Sequence, residues 1–217
     1  MTTMKQLLII GARGWGREVY DIAKDCIAAG AKLKVKGFLD DKPDALDGYE
    51  NYPAILGPVE TYDIQAEDVF LCALGDVNYK KHYTDMIEAK GGEFVTLIHP
   101  TAILGNNAKI GKGCVVGAYT NISSDTRIGD HVTFSIKAGM GHDSVIGDYS
   151  HIGGFCNISG FVTIGNMVTI HPCCNILPHK KIADEAVVGT SSVGRNRRED
   201  GFCDRVPYAG SAAQAYG

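Results

Sequence analysis

The sequence has no excess of positive charge, no long apolar run at its start and no C-x-x-C pair, and each absence excludes a class of protein. Lys and Arg number 21 against 25 Asp and Glu, a net charge of −4, so we expect neither nucleic acid nor a membrane surface as a partner. The opening segment MTTMKQLLIIGARG contains only the short apolar stretch LLII, too short for a signal peptide or a membrane span. We therefore expect a buried first strand and a cytoplasmic location.

The cysteines narrow the class further. There are seven, an odd number, and such a set is typical of small buried thiols rather than of a disulfide framework or a zinc site. With 217 residues, 45% of them apolar, the chain is long enough to bury one or two cores. We expect an ordinary globular protein of one or two domains, without a bound metal.

A six-residue repeat organises the second half of the sequence. From position 101 to position 190, the fourth place of every hexad is apolar: Leu104, Ile110, Val116, Ile122, Ile128, Phe134, Met140, Ile146, Ile152, Ile158, Ile164, Ile170, Ile176, Ile182 and Val188. The second place is mostly small, as in Ala102, Cys114 and Ser144. A large and a small residue two places apart face the same side of a short strand and can fill a narrow prism. Glycine often follows the aliphatic residue, and we expect positive φ there, where the chain turns a corner.

This repeat resembles that of the hexapeptide-repeat transferases, whose fold is a left-handed parallel β-helix with three hexads per coil. The resemblance implies about five coils, stacked about 4.8 Å apart. Residues eighteen apart then lie one above the other, which places Cys156 next to Cys174 inside the prism. We expect two small core residues here, and a disulfide is the less favoured alternative.

The first half alternates strands and helices. The segment LLIIGARGWGREVYDIAKDCIAAG predicts a strand, a glycine-rich turn and a helix that ends at Gly30. Further strands are predicted in KLKVKGFLDD, VFLCALGD and FVTLI, and a second helix in NYKKHYTDMIEAKGG. The pattern predicts an α/β, Rossmann-like domain with a parallel sheet over residues 1–98, followed by the β-helix over 99–194 and a tail over 195–217.

The turn after the first strand is a candidate phosphate site. Gly11, Gly14 and Gly16 open the first helix, where backbone amides can receive a phosphate, although their spacing is not G-x-G-x-x-G. Asp40 and Asp41 end the second strand, where an acidic group can hold a ribose or a base. A tight turn and a solvent-exposed strand end explain these residues equally well, so both interpretations stay open.

The motif GHDSVIGDYSHIGG is the candidate catalytic segment. His142 takes the sixth place of its hexad and Asp143 the first place of the next, so both lie at a coil corner. Acetyl transfer from a thioester needs a base and a donor to the developing oxyanion, and histidine suits the first task because its pKa lies near neutrality. Gly160 lies one coil above His142, where its amide can approach a thioester carbonyl. Alternatively, Gly160 is only a corner glycine, and adjacent side chains such as those of His142 and Asp143 often diverge.

For the remaining histidines, the favoured interpretation is a surface or structural role. They are His82, His99, His131, His171 and His179.

The segments GARGWGREV, FLDDKP, YPAILGPVE, LIHPTA and GHDSVIGDYSHIGG resemble, over nearly the whole chain, a family of bacterial sugar acetyltransferases. The family includes sialic acid O-acetyltransferase, the UDP-4-amino-sugar N-acetyltransferase of bacillosamine synthesis and GDP-perosamine N-acetyltransferase. The resemblance implies a homotrimer with active sites between subunits. It also implies acetyl-CoA lying along the β-helix and a small sugar substrate, carried on a nucleotide, at the N-terminal domain.

The same resemblance implies roles for individual residues. His142 is the base and Asp143 its acidic partner, His151 contacts the donor or the acceptor, and Gly160 contacts the thioester. The residues implied or expected to bind the nucleotide, the sugar or the coenzyme further include Asp40, Asp41, Gly189 and the loop glycines Gly11, Gly14 and Gly16.

The sequence departs from the family pattern at three places. Trp15 stands where many members have a histidine in the glycine-rich loop, and the end RVPYAGSAAQAYG matches the usual close only loosely. Arg195, Arg197 and Arg198 can meet coenzyme phosphates, although a solvated loop is the favoured account.

Several functions stay open at this point. The acceptor is an amine or a hydroxyl, and the amine of a nucleotide-linked 4-amino sugar is preferred over a free sugar such as sialic acid. The γ-type carbonic anhydrases share the fold but need a histidine pair five residues apart, and the β-helix histidines from His142 to His179 show no such pair. A non-catalytic β-helix scaffold is the third alternative.

Overall fold

The computed structural model describes residues 4–194. In the N-terminal domain, the strands β1 (Lys5–Ile10), β2 (Leu33–Leu39), β3 (Asp68–Cys72) and β4 (Glu93–Phe94) form a parallel sheet in the order β2-β1-β3-β4, with the helices α1 (Gly14–Ala28) and α2 (Val77–Ala89). The predicted Rossmann-like α/β domain is confirmed.

The central strand β1 is apolar throughout because both of its faces are covered. Leu7 and Ile9 pack with α1, whereas Leu8 and Ile10 pack in the cluster that contains Ile87 of α2. The helix α1 stops as predicted, since Gly30 has φ +106° and its amide donates to the Ile27 carbonyl.

The rest of the described chain is a parallel β-helix with three faces. The face that carries the N-terminal domain, called the cleft face below, contains β5 (Leu97–Ile98), β8 (Val115–Val116), β11 (Thr133–Phe134), β14 (His151–Ile152), β17 (Thr169–Ile170) and β20 (Val187–Val188). The second face contains β6 (Ile103–Leu104), β9 (Asn121–Ile122), β12 (Gly139–Met140), β15 (Asn157–Ile158), β18 (Asn175–Ile176) and β21 (Val193–Gly194). The third face contains β7 (Lys109–Ile110), β10 (Arg127–Ile128), β13 (Val145–Ile146), β16 (Thr163–Ile164) and β19 (Lys181–Ile182).

Stacked strands pair residues eighteen positions apart, as in Ile128 with Ile146, and the left-handed β-helix prediction is confirmed. The repeat extends past the predicted hexads, by β5 at the start and β21 at the end. The boundary that the sequence predicts between residues 98 and 99 falls directly after β5.

The core of the β-helix is the predicted apolar column. Every fourth-place residue from Val116 to Val188 is buried. Leu104 is the exception, with 42% of its surface exposed, and Ile110 is only partly buried. The expectation that Leu104 is an inward core residue is wrong because it lies in the first coil, where no preceding coil covers it. Cys156 and Cys174 are buried free thiols in this core, as expected of small core residues.

The prediction that the glycine after the aliphatic residue adopts positive φ is wrong. The left-handed conformation lies two places later, at residues such as Asp143, Phe161 and His179, with φ near +60°. The glycines are needed for space instead, because a Cβ on Gly141 would lie 2.5 Å from the Gly160 nitrogen of the next coil.

The helix α2 fixes the N-terminal domain on the β-helix. Lys80 is fully buried, and its Nζ donates to the carbonyls of His131, Tyr149 and Ser150 and to the Thr133 hydroxyl. Burial lowers the pKa of Lys80 to about 8.

Two turns further along α2, Glu88 accepts hydrogen bonds from His131 Nε2 at 3.2 Å and from Lys112 Nζ at 2.7 Å. Burial opposes ionisation of this carboxyl, but the bonds from Lys112 and His131 hold its pKa below the ordinary value. The two domains therefore meet through bonded polar groups, which fix their relative orientation.

Candidate active site

A large cleft lies between the N-terminal domain and the cleft face of the β-helix. Its volume is about 1160 Å³, and it opens at the carboxyl ends of β1, β2 and β3. Strand order reverses beside β1, and such a crevice is where open α/β sheets bind ligands. The predicted site residues that line the cleft are Gly11, Gly14, Gly16, Asp40, Asp41 and His151.

The glycine loop is both a tight turn and an open wall of the cleft. Gly11 has φ +94°, and a Cβ on Gly16 would lie 2.0 Å from the Gly11 carbonyl oxygen, so both positions require glycine. A Cβ on Gly14 would meet nothing within 4 Å. The helix that follows has no side-chain cap at Arg13, so its first amides are available to an anion in the cleft.

The acidic pair is held by hydrogen bonds to the domain itself. Asp40 accepts from the amide of Ala12 at 2.9 Å and from the amide of Lys42 at 3.0 Å. Asp41 accepts from the Tyr83 hydroxyl at 2.9 Å. Asp40 therefore braces the glycine loop against the end of β2, and a nucleotide contact by either carboxylate stays a prediction.

His151 projects from β14 into the cleft and faces Trp15 of α1. The two ring centroids lie 6.0 Å apart at 80°, an edge-to-face contact. Burial, together with the charges of Lys80 and His171, lowers the pKa of His151 to about 3. The ring is therefore neutral near pH 7 and is a poor general base, which suits a binding role.

His142 and Asp143 lie at an exposed corner between β12 and β13, called the His142 corner below. The Nδ1 of His142 and the Oδ2 of Asp143 are 2.7 Å apart, and 58% of the His142 side chain is exposed. Asp143 has φ +55°, which breaks the alternation that separates adjacent side chains in a strand, so the two side chains converge. The carboxylate accepts a hydrogen bond from Nδ1–H, and in this tautomer of the neutral ring Nε2 carries no hydrogen.

Gly160 lies directly beside the His142 ring. A Cβ at this position would lie 2.9 Å from Nε2 and Cε1 of His142. Its amide makes no hydrogen bond to any residue between 4 and 194. Asp148 has the equivalent position at a neighbouring corner, and its amide donates to the side-chain oxygen of Asn166, eighteen residues later. The residue eighteen places after Gly160 is Pro178, whose side chain has no acceptor. The Gly160 N–H is therefore free to bind a carbonyl oxygen.

Two further residues of the His142 corner are not among the predicted site residues. Phe161 makes an edge-to-face contact with the His142 ring at 5.1 Å, and His179 stacks on Phe161 at 4.9 Å. Both follow Asp143 at eighteen-residue intervals, so the period of the repeat was the signal that could have found them.

The two groups of predicted residues lie on different sides of one chain. The His142 corner separates the second and third faces, and in a three-sided prism that corner is opposite the cleft face. His142, Asp143 and Gly160 accordingly do not line the cleft. One chain alone therefore does not bring His142 to its own glycine loop.

Gly189 belongs to neither group. It is buried, and its carbonyl accepts from the Cys174 thiol and from the Ser192 amide. The tail 195–217, with Arg195, Arg197 and Arg198, lies outside the described residues.

Within residues 4–194, no helix is long and apolar enough to cross a membrane. The same part of the chain has no group of three or more His, Cys, Asp or Glu side chains that could hold a metal ion.

Each of the two domains is similar to a known protein family. Residues 6–87 match the PglD N-terminal domain, and residues 94–193 match the GMPPB C-terminal domain. UDP-N-acetylbacillosamine N-acetyltransferase of Bacillus subtilis is 30% identical over 53% of this chain and 52% of its own length. GDP-perosamine N-acetyltransferase of Escherichia coli O157:H7 is 26% identical over 65% of this chain and 64% of its own length. The chain thus matches between about half and two thirds of these relatives.

Solved structures confirm the fold over most of the chain. A mutant of perosamine N-acetyltransferase from Caulobacter crescentus, in complex with CoA and GDP-perosamine, has a TM-score of 0.78 at 21% identity over 89% of this chain and 90% of that one. The acetyltransferase domain of PglB from Neisseria gonorrhoeae has a TM-score of 0.79 at 23% identity over 94% of this chain and 98% of that one.

Proposed function

We propose that this chain, a member of the hexapeptide-repeat sugar acetyltransferase family, transfers the acetyl group of acetyl-CoA to the amine of a nucleotide-linked 4-amino sugar. The observation that carries the proposal is the bonded His142 and Asp143 pair beside the amide of Gly160, which has no hydrogen-bond partner among residues 4–194. Two relatives are named as N-acetyltransferases of a UDP- and a GDP-linked sugar, which favours an amine acceptor. Transfer to a hydroxyl of a free sugar such as sialic acid is the alternative.

His142 acts as the general base in this proposal. The acceptor amine forms a C–N bond to the acetyl carbonyl carbon and gives up a proton to Nε2 of His142. The C–S bond of the thioester then breaks, and the same proton passes to the departing thiolate. Asp143 holds the imidazole in the tautomer that has Nε2 free, and it stabilises the imidazolium that forms.

Gly160 supplies the donor for the developing charge. The N–H that lacks a partner among the described residues lies beside the base, where a thioester oxygen becomes negative during attack. Because the amide is part of a coil, it needs no rearrangement to act. Phe161 and His179 extend this corner with an apolar and stacked surface that can flank the bound thioester.

The complete site forms between two copies of the chain in this proposal. The cleft offers the loop amides for a diphosphate, while the exposed His142 corner is on the opposite side of the same prism. A cyclic homotrimer places the His142 corner of one copy against the cleft of the next. We also propose the cytoplasm as the location, where nucleotide sugars and acetyl-CoA are available.

The direct test is a thiol-release assay with acetyl-CoA and a panel of UDP-, GDP- and dTDP-linked 4-amino sugars, alongside the matching hydroxyl sugars. Rapid turnover of one amino sugar, with little on its hydroxyl counterpart, is the expected result. Turnover of hydroxyl sugars alone would reassign the acceptor. If no sugar of the panel were turned over although acetyl-CoA still bound, the acceptor would not be a nucleotide-linked sugar.

The base is tested by replacing His142 with alanine. We expect His142→Ala to lower kcat by roughly 10²–10⁴-fold while leaving the oligomer intact, the range typical of a lost general base. His82→Ala is the matched control, since His82 is exposed on α2 outside both groups. Undiminished transfer in His142→Ala would disprove the assignment.

A further inference from the structure

The cleft contains two ring nitrogens without a partner, and they belong to neighbouring rings. Trp15 Nε1 and His151 Nδ1 have no accessible surface and no hydrogen bond within the described residues. The great majority of buried polar side-chain atoms in proteins are hydrogen-bonded, so such a pair indicates a place where a ligand can bind. Both rings line the cleft, Trp15 from the first turn of α1 and His151 from β14.

The chemistry of the two nitrogens is complementary. The indole Nε1 carries a hydrogen and only donates. His151 is neutral, since burial lowers its pKa to about 3, and a neutral imidazole can present Nδ1 as an acceptor. A group that satisfies both must accept from the indole and donate to the imidazole. A sugar hydroxyl and a secondary amide such as an acetamido group both have this pattern.

The rings must move apart to admit such a group. Their centroids are 6.0 Å apart in the edge-to-face contact, and neither nitrogen is accessible to water. The first turn of α1 follows the glycine loop, and Gly14, next to Trp15, has no atom within 4 Å of its Cβ position. The space around Gly14, which lines the cleft, is therefore open.

We propose that Trp15 and His151 form one specificity-determining element, which binds a hydroxyl or secondary amide of the acceptor sugar between the indole N–H and the imidazole Nδ1. The pair is in ring contact in the free protein and separates when the acceptor binds. This assignment rests on the proposed function for the identity of the acceptor. It does not depend on which residue is the base.

Trp15 is the only tryptophan of the chain, so its fluorescence reports this contact directly. We expect the emission of the full-length protein to shift when the UDP-, GDP- or dTDP-linked sugar that binds is added. Acetyl-CoA alone is expected to leave the emission unchanged. An equal shift with acetyl-CoA alone would overturn the proposal, since the pair would then belong to the coenzyme site.

The steady-state test uses Trp15→Phe, which keeps an aromatic ring against His151 and removes the N–H. We expect KM for the acceptor to rise about tenfold, as for one lost hydrogen bond, with kcat within about twofold and KM for acetyl-CoA unchanged. Tyr20→Phe is the matched control, because it removes one polar hydrogen from an aromatic ring of α1 that does not line the cleft.

The outcomes separate this proposal from the proposed function. Turnover of a panel sugar with unchanged emission and an unchanged KM in Trp15→Phe would overturn the recognition element and leave the function standing. An emission shift without turnover on any panel sugar would support the element and contradict the transfer reaction. If no panel sugar shifted the emission and none were turned over, both the recognition element and the proposed function would be wrong.

Discussion

At the scale of single residues, His142 and Gly160 lie so close that the size of one decides the position of the other. The distance of 2.9 Å between a Cβ at position 160 and the imidazole is shorter than real Cβ contacts. The ring is held on its other side by Asp143 at 2.7 Å and edge-on by Phe161. A methyl group at position 160 must therefore push the ring out of its bonded orientation.

We predict that Gly160→Ala lowers kcat/KM by roughly 10–100-fold, since small misplacements of catalytic groups cost this much. The measurement is the thiol-release rate, with circular dichroism to confirm that the β-helix is intact. Gly139→Ala is the control, because a Cβ there would make only an ordinary contact, at 3.6 Å from Asn157. Equal rates for the wild type and Gly160→Ala would contradict a catalytic role for this corner.

At the scale of elements, a ladder of side chains stabilises the corner between β13 and β14. The Oδ1 of Asp148 accepts from the Asp130 amide at 2.8 Å, and the Oδ1 of Asn166 accepts from the Asp148 amide at 2.9 Å. Asp184 continues the ladder by accepting from the Asn166 amide at 2.8 Å. Both Asp and Asn fill the position because the ladder needs only one acceptor oxygen.

We predict that Asp148→Ala lowers the free energy of unfolding by about 1 kcal/mol, because the Asp130 amide loses its partner at an exposed corner. Asp148→Asn retains the acceptor and is expected to stay within about 0.5 kcal/mol of the wild type. Urea unfolding of the three proteins at one concentration measures the difference. Equal losses in both variants would show that charge, rather than the hydrogen bond, stabilises this corner.

The strands also show which parts of the fold could be predicted from the sequence. The period of six predicted the buried column from Val116 to Val188 because alternate residues of short stacked strands have no other place to bury. It failed at Leu104, where burial depends on a neighbouring coil rather than on the local pattern. The contact of Trp15 with His151 joins two domains across the cleft, and no periodicity connects such residues.

The docking of α2 on the β-helix could not be predicted from the sequence either, because a lysine in a helix is expected to be exposed. Lys80 is instead buried against the β-helix, and its folded-state pKa of about 8 lies below the ordinary 10.5. Between these values the unfolded chain binds a proton that the folded chain has lost. Stability must therefore rise with pH across this window.

We predict that the free energy of unfolding of the wild type increases from pH 8 to pH 9.5 relative to that of Lys80→Met, which has no titrating group at this position. Urea unfolding of both proteins at several pH values measures the difference in slope. Parallel curves would mean that Lys80 keeps its proton throughout, and the burial argument would then be wrong.

At the scale of the whole molecule, the distance between His142 and the glycine loop is a matter of topology. Three faces follow one another along each coil, so the corner between the second and third faces is always across the prism from the cleft face. No side-chain rotation moves His142 around that prism. If both groups serve one reaction, they must come from different copies of the chain.

We predict that two inactive variants restore activity when they assemble together. His142→Ala removes the proposed base, and Gly14→Glu places a carboxylate at the proposed nucleotide site, in a position with open space for the new side chain. When the two variants assemble in equal amounts, each site combines the His142 corner of one randomly chosen copy with the glycine loop of another. Roughly one site in four then has both intact parts, so co-expressed protein should reach about a quarter of the wild-type rate.

The control is a simple mixture of the two purified variants without subunit exchange, which should stay inactive. A co-expressed oligomer that also stays inactive, although mass spectrometry shows both variants in it, would mean that one chain carries the whole site. That result cannot be reconciled with the His142 corner acting on a sugar held in the cleft, since one prism separates them. Restored activity would instead identify the interface between copies as the place where base, thioester and acceptor meet.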